Sequence, residues 1–158
     1  MEVGTPLPVL VLGLGNPLRG DDGVGPAVIE ALRQVELPPE VELMDGGTAG
    51  LGLLTAISGR RHLLVVDAAE MGRPPGTVEV FSPREGALEK SEDSLSPHQL
   101  GLAEVLEVAG RLELAPQTVK IFAVQPDRLD WGQELGPAVR NSLSQVVSAI
   151  REELNDLS

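Results

Sequence analysis

The sequence predicts an α/β fold: a three-layer sandwich with helices on both faces of a mostly parallel, twisted, five-stranded sheet. Five short β-branched or aliphatic runs have the length of strands, and amphipathic stretches with helical spacing separate most of them. Strands that alternate with helices form parallel pairs, because each helix returns the chain to the same end of the sheet. With 158 residues, 42% of them hydrophobic, the chain suits a single domain over residues 1–158.

The strand candidates are residues 8–15 (PVLVLGLG), 41–46 (VELMDG), 62–68 (HLLVVDA), 77–81 (TVEVF) and 118–124 (TVKIFAV). The fourth run differs from the others because only a Pro/Gly turn links it to the third. This link is too short for a helical crossover, so we expect these two runs to form an antiparallel hairpin. The sheet therefore has one antiparallel strand.

Four amphipathic stretches are predicted to be helices, at residues 25–35, 50–57, 98–110 and 137–154. In the last of them Pro137 occupies a first-turn position, and apolar residues recur every three or four positions, so this helix should pack on the sheet. Residues 82–99 (SPREGALEKSEDSLSPHQ) are charged and serine-rich. A loop of this length in so small a protein is predicted to serve the function.

A glycine-rich turn, residues 11–25 (VLGLGNPLRGDDGVG), follows the first strand. It is not a dinucleotide fingerprint, because Leu18 stands where the third glycine is required, and Asp21 and Asp22 replace the Lys and Ser/Thr of a phosphate loop. Two carboxylates would repel phosphate, so a nucleotide-binding module is disfavoured. The turn is predicted to bring Asp22 to the carboxyl edge of the sheet. The alternative is that Asp21 or Asp22 only caps the helix that begins near Pro26.

Two further acidic residues close strands in the same way, Asp45 on the second and Asp67 on the third. If these strands are parallel, Asp22, Asp45 and Asp67 share the edge where open α/β proteins carry their sites. Three carboxylates are costly there unless they bind a cation or join a hydrogen-bond network. For Asp45, which precedes Gly-Gly-Thr, a role in turn formation is an equal alternative.

The chain has two histidines. His62 begins the third strand, about 16 Å from Asp67 at roughly 3.3 Å per residue, and is predicted to lie at the surface of the far edge. His98 lies in SLSPHQLG, where Ser96, Pro97 and Gln99 are enough to start a helix with a capping box, so one reading makes His98 incidental. In the other reading, His98 is the imidazole that joins the carboxylates.

Asp22, Asp67 and His98 together would offer two oxygens and one nitrogen and leave coordination positions open. Such a set suits a divalent ion such as zinc or nickel. Other chemistries fit less well, because the sequence has no cysteine, no tyrosine, no H-E-x-x-H and no G-x-S-x-G. A net charge of −12 disfavours nucleic acid and anionic membranes as partners. No apolar run is long enough for a membrane span and no basic leader is visible, so we expect a cytoplasmic protein.

Four segments, VLGLGNPLRGDDGVG, MDGGTAGLGLL, HLLVVDAA and SPHQLGLAEVL, together resemble the nickel-iron hydrogenase maturation endopeptidases over about residues 9–124. The combination of a G-x-G-N-x-L-x-x-D-[DE]-x-x-G loop, a D-G-G-T turn and an S-P-H-Q helix start is specific. The resemblance implies a peptide hydrolase that removes the C-terminal extension of the hydrogenase large-subunit precursor after nickel insertion. The alternative function is a metal-binding chaperone or sensor that docks on the precursor without cutting it.

The resemblance also implies roles for particular residues. The family's metal-binding carboxylate, carboxylate and histidine match Asp22, Asp67 and His98, which would be both catalytic and metal-binding. A supporting or substrate-binding role falls to Asp45, Gly46, Gly47 and Thr48. The metal is expected to be nickel contributed by the precursor, although zinc or cadmium could occupy the same site. The expected partner is the precursor, with no nucleic acid and no membrane.

Overall fold

The structure is a computed structural model that describes residues 6–47, 50, 52–82 and 97–157, with residues 97–100 described by their backbone alone. Its strands are β1 (Val9–Leu14), β2 (Val41–Gly47), β3 (His62–Ala68), β4 (Val78–Phe81) and β5 (Thr118–Val124). Its helices are α1 (Val24–Leu32), α2 (Leu53–Ile57), α3 (Pro97–Arg111) and α4 (Pro137–Leu157), and a short 3-10 turn, Gly20–Gly23, precedes α1. The predicted fold class is confirmed. The predicted loop at residues 82–99 falls mostly outside the described residues.

The five strands form one sheet in the order β2-β1-β3-β5-β4. The first four in this order are parallel, and only β4 runs antiparallel, against β5. Gly13 of β1 pairs with Asp45 of β2 on one side and with Val66 of β3 on the other. The carboxyl ends of these three strands therefore meet at one edge, as predicted.

The prediction of a β3–β4 hairpin is wrong, because β5 lies between the two strands. The connecting segment, residues 69–77, is longer than the roughly two to five residues of a usual hairpin loop. A hairpin loop spans only the distance of about 4.8 Å between neighbouring strands. The connection crosses the end of β5, where the backbone N–H of Gly76 donates to the Gln125 carbonyl at 2.8 Å. The buried Gln125 side chain accepts the N–H of Met71 at 2.7 Å. The link thus passes over one strand and returns antiparallel beside it.

A separate apolar layer covers each face of the sheet. On one face α1 and α4 pack on Val11, Val66 and Phe122. On the other face α2 and α3 pack on Leu12, Val65 and other side chains of alternate strand positions. Pro97 and Pro137 each begin a helix, as the sequence predicted. Among the described helices, none combines the length and the apolar character that crossing a bilayer would need.

Candidate active site

The glycine-rich turn is built for close packing between β1 and α1. A Cβ added at Gly13 would lie 2.5 Å from the carbonyl oxygen of Gly25, and one added at Gly25 would overlap the backbone of Leu14. Gly15 has a φ of 126°, a region that favours glycine, and its added Cβ would overlap the Asp22 carbonyl. These glycines let the start of α1 lie directly against the strand, which explains them without a bound phosphate.

Asp22 lies on the 3-10 turn, which contacts β3. The residue is only 6% exposed, and its Oδ2 accepts the backbone N–H of Asn16 at 2.8 Å. This bond holds the carboxylate in place at the carboxyl end of β1. The sequence therefore placed Asp22 at the correct edge of the sheet.

The neighbouring Asp21 has a different role, which the sequence did not indicate. Its fully buried carboxylate accepts three backbone N–H groups, from Asp127 (2.7 Å) and Arg128 (3.0 Å) on Oδ2 and from Gly136 (2.7 Å) on Oδ1. The capping alternative is wrong for both aspartates, because the cap positions of the 3-10 turn and of α1 are Arg19 and Gly23 and neither involves a side-chain bond. Asp21 instead fastens residues 127–136 to the turn that carries Asp22.

Asp67 is fully buried near the end of β3. Because side chains alternate along a strand, it faces the same side as Leu63 and Val65, which belong to the layer under α2 and α3. The first turn of α3 contains residue 98, which precedes the fully buried Leu102 by one helical turn. The side chain of His98 lies outside the described residues.

Asp45 does not share the surroundings of Asp67. It is exposed, and its Oδ1 accepts the N–H of Gly47 at 2.9 Å, the turn-forming bond that was the alternative to a functional role. In the strand register Asp45 is level with Val66, through Gly13, so it faces the side of the sheet opposite to Asp67. Thr48 lies outside the described residues.

Gly46, the residue after Asp45, packs against the apolar layer between the sheet and α2. A Cβ added there would lie 2.7 Å from Leu12 Cδ1 and 3.2 Å from Leu53 Cδ2. Gly47 has a φ of 58° and open space around it. The two glycines therefore serve the turn in different ways. Gly46 leaves space for the side chains of Leu12 and Leu53, and Gly47 adopts the positive φ that the turn needs.

His62 begins β3 at the opposite edge of the sheet, as predicted. Its Nδ1 lies 2.7 Å from Thr118 Oγ1. Partial burial lowers the pKa of His62, and the nearby Arg61 lowers it further, while Glu153 acts in the opposite direction. It takes no part in the edge that holds Asp22 and Asp67.

Within the described residues, no three His, Asp or Glu side chains are grouped so that they could hold a metal ion. A three-ligand site built on Asp22 and Asp67 therefore depends on the side chain of His98. The geometry defines a class: an open α/β sheet with two buried carboxylates at its carboxyl edge, one after the first strand and one on the third.

Comparison with known proteins shows which family within this class the chain resembles. The family model described as HycI, hydrogenase maturation protease, matches residues 26–153. The hydrogenase 2 maturation protease of Escherichia coli K12 is 39% identical over 151 residues, which cover 91% of each chain. The structure of the E. coli maturating endopeptidase HybD superposes with a TM-score of 0.88 at 34% identity, over 95% of this chain and 93% of that one. The HybD protease of Thermococcus kodakarensis gives a TM-score of 0.76 at 26% identity, over 92% and 98%.

The chain belongs to the hydrogenase maturation protease family. It is therefore a peptidase, as the sequence motifs indicated. The sequence motifs support the resemblance up to about residue 124, and the family match continues through most of α4.

Proposed function

We propose that this peptidase removes the C-terminal extension of a nickel-iron hydrogenase large-subunit precursor after nickel has been inserted. Its relatives are named as hydrogenase maturation proteases, which favours cutting over a non-cleaving chaperone or sensor. The observation that supports the site most is the burial of two carboxylates on elements that contact each other, Asp22 on a turn that contacts β3 and Asp67 on β3 itself. We assign both as nickel-binding and catalytic residues, together with His98.

The donor set fits the ion. Two carboxylates and one imidazole, with no thiolate, suit a borderline divalent ion and leave positions for ligands from the substrate. The backbone N–H of Asn16 donates to Asp22 Oδ2 and so orients that carboxylate, and residue 98 lies in the first turn of α3. Nickel carried in by the precursor would polarise the scissile carbonyl or activate a water, with a carboxylate as base.

Two finer assignments belong to the same proposal. The turn of Asp45, Gly46, Gly47 and Thr48 supports binding of the substrate, because its exposed carboxylate is held by Gly47 at the edge where the strands end. The reaction takes place in the cytoplasm, without nucleic acid or membrane as a partner. Cell fractionation with detection of the tagged chain would test the location.

A nickel-dependence experiment tests the function. The enzyme is stripped with chelator, mixed with precursor prepared with or without nickel, and the products are weighed by mass spectrometry. We expect loss of the C-terminal extension from the nickel-loaded precursor alone, because moderate affinity leaves the metal to be supplied by the substrate. An unchanged precursor mass in every arm would refute cleavage. Equal cutting of nickel-free precursor after zinc is added to the enzyme would show an ordinary metallopeptidase instead.

A further inference from the structure

An exposed apolar patch lies beside the turn that carries Asp22. It consists of Leu18, Arg19, Leu129 and Trp131, and we call it the Trp131 patch. Trp131, the only tryptophan of the chain, is 68% exposed, and Leu18 and Leu129 are 64% and 41% exposed. The Arg19 guanidinium carbon lies 5.2 Å from the centre of the Trp131 ring, within the range of a cation–π contact. Apolar groups of this size grouped at a surface mark a place of contact with another molecule.

The Trp131 patch is held to the Asp22 turn by backbone bonds as well as by the Asp21 carboxylate. The N–H of Gly132 donates to the Leu18 carbonyl at 2.7 Å, and the N–H of Gly20 donates to the Gln133 carbonyl at 3.0 Å. The N–H of Asp21 donates to the Arg128 carbonyl at 2.7 Å. The patch and the turn therefore form one unit, and a molecule seated on the patch lies at a fixed offset from Asp22.

Charged side chains of both signs surround the Trp131 patch. Arg19 lies in the patch and Arg128 lies next to it, while Asp127, Asp130 and Glu134 of the same segment are exposed. Neither guanidinium forms an ion pair with any residue that the structure describes, whereas Arg140 nearby is paired with Glu134 at 3.4 Å. Unpaired guanidinium groups bind carboxylates, often in a two-pronged geometry. A partner that complements this surface presents apolar side chains to Trp131 and the two leucines, and a carboxylate to Arg19.

We propose that the Trp131 patch docks the folded body of the hydrogenase precursor, through apolar and acidic side chains of its surface, while the tail reaches Asp22. The inference rests on the proposed function, because it takes that precursor as the substrate. Its position favours this occupant, because the segment that carries Trp131 is bonded to the turn that carries Asp22, so a protein whose tail reaches Asp22 lies beside the patch. Trp and Arg are also the residues that most often dominate the binding energy of protein interfaces. A second copy of this chain is the competing occupant.

The test compares Trp131→Ala with Leu112→Ser in the intact chain. Leu112 is 54% exposed and follows the end of α3, so it controls for loss of an exposed apolar side chain away from the patch. With nickel-loaded precursor we expect Trp131→Ala to raise KM by about tenfold or more, with kcat within about twofold of the parent chain. Leu112→Ser should change neither constant. An unchanged KM for Trp131→Ala, or a loss confined to kcat, would overturn the proposal.

Two further measurements distinguish failure of the docking proposal from failure of the proposed function and from self-association of the chain. Calorimetric titration of the precursor into each variant reports docking even if no peptide bond is cut. Weaker binding to Trp131→Ala without cleavage by the parent chain would therefore refute the proposed function and support the docking surface. Sedimentation of the parent chain and Trp131→Ala tests the other occupant. Dimers that dissociate in the variant, together with an unchanged KM, would show that the patch joins two copies and would overturn the inference.

Discussion

Replacement of Asp21 with asparagine should destabilise the fold far more than a surface substitution. The carboxylate accepts three backbone N–H groups, two on Oδ2 and one, from Gly136, on Oδ1. An asparagine side chain at this position would offer one acceptor oxygen. If that oxygen faces Asp127 and Arg128, the new NH₂ group meets the Gly136 N–H, and one buried donor loses its partner. A buried unsatisfied donor costs about 1–3 kcal/mol, and two bonds weaken from charged to neutral, so we expect a loss of about 2–4 kcal/mol.

Urea unfolding followed by far-ultraviolet circular dichroism measures this loss. The matched control is Asp45→Asn, because Asp45 is exposed and an asparagine oxygen can accept the Gly47 N–H as the aspartate does. We expect a change of less than about 0.5 kcal/mol for the control. If Asp21→Asn also stays within about 0.5 kcal/mol of the parent chain, the three bonds do not fasten residues 127–136, and this reasoning is refuted.

Two other substitutions test the site and the packing beneath it. His98→Ala should lower processing by about 100-fold or more, because it removes the imidazole from the proposed ligand set, with a small effect on melting temperature. His62→Ala is its control, and equal loss of activity in both would argue against the ligand role. Gly25→Ala should cost about 3 kcal/mol or more in urea unfolding, since its Cβ would overlap the backbone of Leu14. Gly52→Ala, with open space around it, should change stability little, and comparable losses would contradict the close-packing explanation.

The fold could be predicted from the sequence wherever the cause was local. The periodicity of the strands and helices, and the proline in the first turn of α3 and of α4, are signals that lie within a few residues and can be recognised in the sequence. The prediction of a β3–β4 hairpin was wrong because β5 pairs between these two strands, and β5 begins almost 40 residues after the end of β4. No local pattern reports that choice. The sequence correctly indicated one antiparallel strand, since the short link excluded a helical crossover.

The candidate site shows the same division. Asp22 and Asp67 could be placed at the carboxyl edge because each follows or ends a strand of a parallel sheet. The role of Asp21 could not, because its partners are more than 100 residues away in the chain. The turn at Asp45 could be predicted from the local sequence, because an aspartate commonly accepts the backbone N–H of the residue two positions later, as observed with Gly47.

The two adjacent aspartates show how one short turn serves two purposes. In a 3-10 turn successive residues lie about 120° apart, so Asp21 and Asp22 cannot face the same surroundings. Asp21 faces inward, and its charge is matched by three backbone donors from residues 127–136. Asp22 faces the end of β1 and is held by Asn16. Because one turn carries both side chains, the bonds that fix the Trp131 patch also fix the carboxylate proposed for chemistry. A substrate that binds the Trp131 patch as proposed would therefore be aligned with Asp22 by these bonds.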